Sequence, residues 1–220
     1  MLNEIPSIFF ALIQGLKAVA GLFLIVIIVS IPLGFLITML MQSSLKFVQW
    51  FCKAFICVIR GTPLMLQLFF IYFGLPYIPV IGKHFILSGF TSAAIGFSIN
   101  YAAYFSEIFR GGLLSVDIGQ YEAARSLGLN HYQTLKFIII PQMIRVVIPS
   151  ITNEAITLVK DTSLMFAIAV PEVLHYAKVA VSRTNSVLPF IVAFMIYLII
   201  NAFIQIALSF YEKRSNKGWH

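Results

Sequence analysis

The feature that most constrains this chain is a charge-free apolar run at residues 21–41, which reads GLFLIVIIVSIPLGFLITMLM. A helix of about 20 apolar residues is long enough to cross the hydrocarbon core of a bilayer. A cleavable signal peptide is the alternative, but the first 16 residues lack a basic stretch and the apolar run is too long for one. The run therefore predicts a membrane-spanning helix.

Four more apolar segments follow, so we expect an all-α integral membrane protein with one domain over residues 1–220. Of the 220 residues, 60% are hydrophobic and only 10% are charged, which is unlike soluble globular proteins. The five predicted spans are residues 18–41, 55–80, 88–109, 137–168 and 188–211. Prolines and charged residues interrupt the fourth segment, which is either one helix with a broken or re-entrant end or two spans.

The distribution of lysine and arginine favours five spans, with the amino terminus outside and the carboxyl terminus inside. In that arrangement ten of the 15 basic residues lie on one side and four on the other, while Lys160 lies within the fourth segment. Cytoplasmic loops carry the excess of basic residues, so the richer side is predicted to be cytoplasmic. Splitting the fourth segment would move the basic tail outside and weaken this bias.

Several other classes of function find no support in the sequence. Cys52 and Cys57 lie together in an apolar stretch, and the four histidines are far apart, so no metal site is predicted. The basic residues are scattered along the chain rather than clustered, which argues against nucleic-acid binding. No G-x-x-x-x-G-K-[ST], H-E-x-x-H or G-x-S-x-G motif occurs, so neither an ATPase nor an intramembrane enzyme is indicated.

The third segment carries small residues at every fourth position, which we call the small-residue ladder: Ala94, Ser98, Ala102 and Ser106. Small side chains on one helical face let two helix backbones approach closely in a membrane, so the ladder predicts a helix–helix contact. Asn100 lies off that face. It is either a polar tie between helices or a residue of the transport pathway.

A polar segment near the middle of the chain, GQYEAARSLGLN at residues 119–130, contrasts with its apolar surroundings. Its composition predicts a short helix that contains Glu122 and stops at Gly128. A second short helix is predicted to begin at Asn130 or Thr134 and to run to Pro141. The segment is either a solvated loop or a compact surface on which another protein docks, with alanines on the exposed side leaving room for that partner.

This segment resembles the EAA loop of the membrane subunits of ATP-binding-cassette (ABC) importers. The similarity covers YEAARSLGLNHYQTLKFIIIPQ and three further blocks in the family's order: RGTPLMLQLFFIYFGLP at residues 60–76, EIFRGGLLSV at 107–116 and NEAITLVKDTSL at 153–164. Together the blocks are similar to the polar amino acid permeases, the histidine, glutamine and arginine type. The departures are small: IIIP replaces the commoner Leu-Pro ending, and SVDIGQ stands where a proline often precedes the loop.

The resemblance implies a five-helix type I importer permease that works as a dimer of identical or homologous subunits in the bacterial cell membrane. The EAA loop, about residues 119–141, would dock in a cytoplasmic ATPase dimer through Glu122, Ala123, Ala124 and Gly128. An extracytoplasmic binding protein would deliver the amino acid. ATP and Mg²⁺ would be used by the ATPase, and no cofactor would be bound by this chain. The resemblance does not identify the amino acid carried.

Polar residues in the fourth and second segments are candidates for the transport pathway. Glu154, Thr157 and Asp161 share one helical face, where ionisable side chains are costly and usually face a cavity or a partner. They either contact a substrate ammonium group or brace the bundle. Gln67 follows Pro63 in a segment that reads as a broken helix, and is either a substrate contact or an interhelical hydrogen-bond donor.

An ion-coupled secondary amino acid transporter is the alternative function, with Glu154 and Asp161 as proton or sodium sites. Such a transporter is expected to show an internal repeat among its spans. The sequence contains none that we detect, so the importer permease is the favoured interpretation.

Overall fold

The computed structural model describes residues 5–80, 82–84 and 86–216, and 87% of these residues are helical. The prediction of an all-helical protein is therefore confirmed. The α-helices are α1 (Ile5–Ile13), α2 (Leu16–Met41), α3 (Lys46–Gly61), α4 (Leu64–Phe69), α5 (Gly89–Ser115), α6 (Ile118–Ser126), α7 (His131–Thr134), α8 (Ile140–Asp161), α9 (Val173–Thr184) and α10 (Leu188–Asn216).

Three helical stretches of the described residues are long and apolar enough to cross a membrane: Ile5–Met41, His131–Ile168 and Leu188–Phe210. A fourth candidate is the bent pair Lys46–Gly61 and Leu64–Tyr77, whose two halves meet at 103°. The helix α5 is not among these candidates, although it is 27 residues long. Most of its surface is covered by other helices, which allows it to be more polar than a helix that faces lipid.

The second predicted span, residues 55–80, contains a break next to Pro63, as predicted from that proline. Thr62 is extended, with φ −121° and ψ 145°, between the end of α3 and the start of α4. Pro63 restricts the residue before it to extended conformations and lacks the N–H that would continue the helix. After α4 the chain continues through a π-helical turn, Phe70–Gly74, and a 3₁₀ turn, Leu75–Tyr77.

The fourth segment is one helical stretch, which starts at His131 and reaches Ile168. The predicted end of the second short helix at Pro141 is therefore wrong. A π-helical turn, Leu135–Ile139, ends just before Ile140 and Pro141, and this local change of hydrogen bonding lets the helix continue past the missing N–H of Pro141. The stretch ends in a 3₁₀ helix, Thr162–Ile168.

The small-residue ladder lies in the contact between α2 and α5, the most extensive helix contact among the described residues, as predicted. The Ser30 hydroxyl of α2 donates to the carbonyl of Ser98 at 3.1 Å, and the Thr38 hydroxyl donates to the carbonyl of Ser106 at 2.8 Å. Gly34 lies between Ser30 and Thr38 on α2, and a Cβ added to it would lie 2.7 Å from the Cβ of Phe105. From the first hydrogen bond to the second, the chain advances by eight residues on α2 and by eight residues on α5. The two helices therefore run parallel.

A second, smaller core joins α1, α9 and α10, and a buried carboxylate holds it together. Glu172 is fully buried and accepts hydrogen bonds from the backbone N–H of Leu174 and His175, which caps α9. The Tyr197 hydroxyl of α10 donates to the same carboxylate at 2.9 Å. Burial raises the pKa of Glu172 above its usual value, although the three hydrogen bonds that it accepts oppose this shift.

Candidate functional site

The break between α3 and α4 is held by side-chain amides. Gln67 donates to the carbonyl of Ile59 and to the hydroxyl of Thr62, both at 2.8 Å, so it bridges the two halves of the broken helix. Asn100 of α5 donates to the side-chain oxygen of Gln67 at 3.0 Å. Asn100 thus links the broken helix to α5. Together, the Gln67 and Asn100 side chains fix the shape of the break.

A cavity of about 430 Å³ opens beside this break, within the size range of small-molecule sites. The end of α3 and the residues of the break form one wall. The other walls are α5, through Asn100, Tyr101 and Tyr104, and α8, through Glu154, Thr157 and Asp161. Three helices that are distant in sequence therefore converge on one polar cavity in an otherwise apolar bundle.

The two acidic side chains of the cavity differ in their partners. Asp161 accepts a hydrogen bond of 2.8 Å from the hydroxyl of the almost fully buried Tyr101. Glu154 has no hydrogen bond and no ion pair with any residue in the described part of the chain. Between them Thr157 donates to the carbonyl of Asn153, so its hydroxyl oxygen can still accept a hydrogen bond.

Basic and acidic side chains meet at the edge of the cavity. Arg110 binds Glu107 with two hydrogen bonds of 2.9 and 2.7 Å, the forked geometry that suits arginine and a carboxylate. Arg60, which lines the cavity, approaches Glu107 only to 3.7 Å. The Arg60 guanidinium instead lies 5.1 Å from the ring centre of Tyr104.

The structure brings together four of the five pathway residues named from the sequence: Asn100, Glu154, Thr157 and Asp161. The fifth, Gln67, does not line the cavity, but it forms hydrogen bonds with two residues that do, Thr62 and Asn100.

Tyr101 and Arg60 were missed as cavity residues. Tyr101 follows Asn100 directly, and Arg60 precedes the helix-breaking Gly-Thr-Pro. The sequence could have indicated Tyr101 by its position next to a polar residue, and Arg60 by its position next to a helix break. Within the described residues, no group of three or more His, Cys, Asp and Glu side chains is placed to hold a metal ion.

The polar loop after α5 folds as two capped helices. The first, α6, ends in a Schellman turn: Leu129 N–H donates to the carbonyl of Ala124, and Gly128 N–H donates to that of Arg125. Gly128 has φ +74°, which favours glycine, and so confirms the predicted stop. Asn130 then caps the next helix in a reciprocal capping box with Gln133.

The four residues predicted to couple the chain to an ATPase do not share one surface. Glu122, Ala123 and Gly128 are exposed, whereas Ala124 is fully buried. The expectation that both alanines face a partner is therefore wrong for Ala124, which packs inward and sets the position of α6.

Large apolar side chains instead stand out from the loop, with Ile118, Leu127 and Tyr132 exposed by 68% or more. Exposed apolar side chains grouped in this way are typical of a surface that another protein covers.

Comparison with known proteins decides the family. A family model described as "Binding-protein-dependent transport system inner membrane component" matches residues 30–217, which is most of the chain. The chain belongs to this family.

Individual relatives agree with that assignment. The permease is 44% identical over 151 residues to YckA, a probable amino-acid ABC transporter permease of Bacillus subtilis (strain 168); this alignment covers 69% of the chain and 65% of YckA. The arginine transport system permease ArtQ of the same organism is 35% identical over 197 residues, which cover 89% of the chain and 88% of ArtQ.

Solved structures show the same fold. A chain from the crystal structure of "an amino acid ABC transporter with histidines" has a TM-score of 0.86 at 32% identity, covering 97% of the permease and 96% of that chain. The MetNI methionine ABC transporter in an inward-facing conformation has a TM-score of 0.74 at 16% identity, covering 94% and 97%, which shows a shared fold alone.

These comparisons confirm the family expected from the motifs and the type I permease fold. The permease is a multi-pass membrane protein and the translocation subunit of an ABC importer, and a separate subunit hydrolyses ATP. The alternative of an ion-coupled secondary transporter is not favoured.

Proposed function

We propose that this permease carries amino acids across the bacterial cell membrane, through the cavity between the broken α3–α4 helix, α5 and α8. The single observation that carries the proposal is that cavity, in which charged side chains of both signs meet inside an apolar bundle. The names of its relatives, which include arginine and glutamine transport system permeases, support amino acids as the substrate class.

The packing of α2 and α5 supports one transmembrane domain with five crossings. Because these two helices run parallel, the chain must cross the membrane once between them, and only the broken α3–α4 segment is available. The helices α8 and α10 then complete five crossings. The excess of basic residues at the end that bears α6 and α7 makes that end cytoplasmic, with the amino terminus outside and the carboxyl terminus inside.

The exposed surface of α6 and α7 is the contact with a cytoplasmic ATPase dimer. Glu122 supplies a charge, Ala123 allows close approach, Gly128 sets the turn, and Leu127 and Tyr132 give apolar area. ATP and Mg²⁺ act on the ATPase, and this chain binds no cofactor. A second permease subunit, identical or homologous, and an extracytoplasmic binding protein complete the importer.

The cavity residues have distinct roles in this proposal. Glu154, Thr157, Asp161 and Asn100 contact the amino acid, since their side chains line the cavity. Gln67 acts behind them, because its hydrogen bonds hold the break and orient Asn100.

Orientation and docking are tested together with single cysteines in a background that lacks Cys52 and Cys57. Ala123→Cys, on α6, and Ser182→Cys, on α9, place exposed thiols at the two ends of the bundle. In right-side-out vesicles, a membrane-impermeant maleimide should label position 182 and leave position 123 unlabelled.

After the vesicles are opened, addition of the ATPase should protect position 123 and leave position 182 unchanged. Labelling of position 123 from outside would refute the orientation, and unchanged labelling in the presence of ATPase would refute the docking surface.

The pathway is tested by Glu154→Gln and Asp161→Asn. Each variant should lower uptake more than it lowers the amount of permease in the membrane, because each removes a substrate contact. Equal losses of uptake and abundance would show that these carboxylates brace the bundle and do not contact substrate.

A further inference from the structure

The helix α3 starts and ends near the same level of the bundle. The hydroxyl of Thr38 meets the carbonyl of Ser106, and α2 ends one turn later at Met41, four residues before α3 begins. At the other end of α3, Arg60 lies 3.7 Å from Glu107, the residue after Ser106. A helix of 16 residues is about 24 Å long, so α3 lies across the bundle and not alongside α5.

The break at Pro63 then turns the chain along α5. The two halves of the broken helix meet at 103°, and α4 follows α5 away from α6, with Gln67 bonded to Asn100 and Leu68 packed against Gly96. Since α4 follows a helix that runs parallel to the membrane-spanning α2, α3 is steeply inclined to the spans. It therefore lies near the membrane surface, at the end that bears α6 and α7.

The side chains of α3 form three faces. Cys52 and Ile56 are buried and face the bundle. Lys46 and Lys53 are exposed, and they share a second face because seven residues make nearly two turns. The third face is apolar, and its large side chains are each exposed by 61% or more: Phe47, Phe51 and Val58. The helix thus presents a cationic face and an apolar face side by side.

Trp50 is exposed and lies between these two faces. Tryptophan is enriched where a membrane meets water, and a helix with lysine on one face and tryptophan and phenylalanine beside it lies in the plane of that interface. The residue pattern and the packing of α3 therefore agree on the same position. Neither Lys46 nor Lys53 forms an ion pair with any residue in the described part of the chain.

We propose that α3 is an interfacial helix that binds acidic phospholipids, with Lys46 and Lys53 contacting their anionic headgroups. A phospholipid fits both exposed faces, since its acyl chains cover the apolar face while its phosphate meets the lysines. One lysine near a membrane surface favours acidic lipid about fivefold, so the pair should favour it about 25-fold. The inference involves neither the cavity nor the ATPase contact, and so it can fail without the proposed function.

The depth of α3 is tested by quenching of Trp50 fluorescence with brominated lipids, in the importer complex reconstituted into nanodiscs. The contribution of Trp50 is the difference between the complex and the same complex with Trp50→Phe. Bromines near the headgroup should quench this contribution about twofold more than bromines near the ends of the acyl chains, because Trp50 lies at the interface.

The headgroup preference is tested by adding a small fraction of brominated lipid to neutral phosphatidylcholine. In the wild type, brominated phosphatidylglycerol should quench Trp50 at a much lower fraction than brominated phosphatidylcholine. The double variant Lys46→Gln and Lys53→Gln should remove this difference, whereas Lys46→Arg and Lys53→Arg together should keep it. High salt should weaken the preference in the wild type, since it screens exposed charges.

Lys136→Gln is the matched control, because Lys136 is also exposed at the end that bears α6 and α7 but is not part of α3. It removes one charge and should leave the lipid preference of Trp50 quenching unchanged. Thermal unfolding of each variant complex checks that the fold is intact.

Three results would overturn the inference. Stronger quenching by deep bromines would place α3 inside the bilayer. Absence of quenching by any lipid would show that another protein chain, such as a second permease subunit, covers the exposed faces. Equal quenching by the two headgroups in the wild type, or an unchanged preference in the double glutamine variant, would show that the lysines do not bind acidic lipid.

Discussion

The hydroxyl of Tyr101 on α5 donates a 2.8 Å hydrogen bond to Oδ2 of Asp161 on α8. Tyr101 is almost fully buried, and its ring packs against Phe97 and Phe105. The bond joins two helices that line the cavity, so it fixes the carboxylate of Asp161 in position.

We therefore expect Tyr101→Phe to raise the apparent KM for uptake about tenfold, since hydrogen bonds to charged groups contribute about 1.5–3 kcal/mol. Uptake kinetics in proteoliposomes measure this effect. Tyr104→Phe is the control, because Tyr104 lines the same cavity but its hydroxyl bonds no described residue. A Tyr101→Phe variant with the wild-type KM would show that the bond does not position Asp161 for substrate.

The contact between α2 and α5 leaves no room for a side chain at Gly34. Even a methyl group there would lie 2.7 Å from the Cβ of Phe105 and 3.0 Å from backbone atoms of α5. We expect Gly34→Ala to lower the unfolding temperature of the purified permease, because overpacking costs about 1–3 kcal/mol. Gly21→Ala on the same helix meets only the ring of Phe90 at 3.5 Å and should unfold as the wild type does. Equal unfolding temperatures for the two variants would contradict the packing described for these helices.

The turn between α6 and α7 depends on the left-handed backbone of Gly128. A Cβ at this position meets no atom within 4 Å, so any cost of Gly128→Ala arises from φ +74° alone, about 1–2 kcal/mol. We expect this local strain to lower ATP-driven uptake several-fold by misplacing the docking surface.

Gly111 provides the matched control for that variant. It also has open space around it but lies within α5, where alanine is favoured over glycine. Gly111→Ala should transport normally, as measured by initial uptake rates at equal membrane abundance. Normal uptake by Gly128→Ala would show that the geometry of this turn is not needed for coupling.

Glu172 makes the stability of the second core depend on pH. Because its pKa is raised in the folded state, its contribution to stability is fully present below its unfolded pKa and is lost as pH rises through the folded value. As pH rises from the unfolded pKa of Glu172 through its folded pKa, the unfolding temperature of the wild type should therefore fall more than that of Glu172→Gln. Both proteins are measured in the same detergent. If the difference between the two proteins does not change with pH, Glu172 has no shifted titration.

Much of this architecture was predictable because it rests on local patterns. Four-residue spacing placed the small-residue ladder in a helix contact, and the shared face of Glu154, Thr157 and Asp161 placed them on one wall of the cavity. The bend at Pro63 was suggested by its sequence, but its 103° angle was not, since tertiary packing sets that angle.

The misses have a common physical cause, namely that they depend on contacts between distant segments. Tyr101 and Asp161 are 60 residues apart, and nothing local to either residue indicates the other. The burial of Ala124 depends on how α6 packs against the bundle, which the composition of the loop does not reveal.

The central claim is that a separate ATPase, docked on the α6–α7 surface, drives transport through this permease. Uptake of a radiolabelled amino acid into proteoliposomes tests it most directly, with permease, ATPase and binding protein reconstituted together and ATP supplied on the ATPase side. We predict that omission of ATP or of the ATPase abolishes accumulation, whatever ion gradient is imposed. Accumulation by the permease alone, driven by a proton or sodium gradient, would contradict the account.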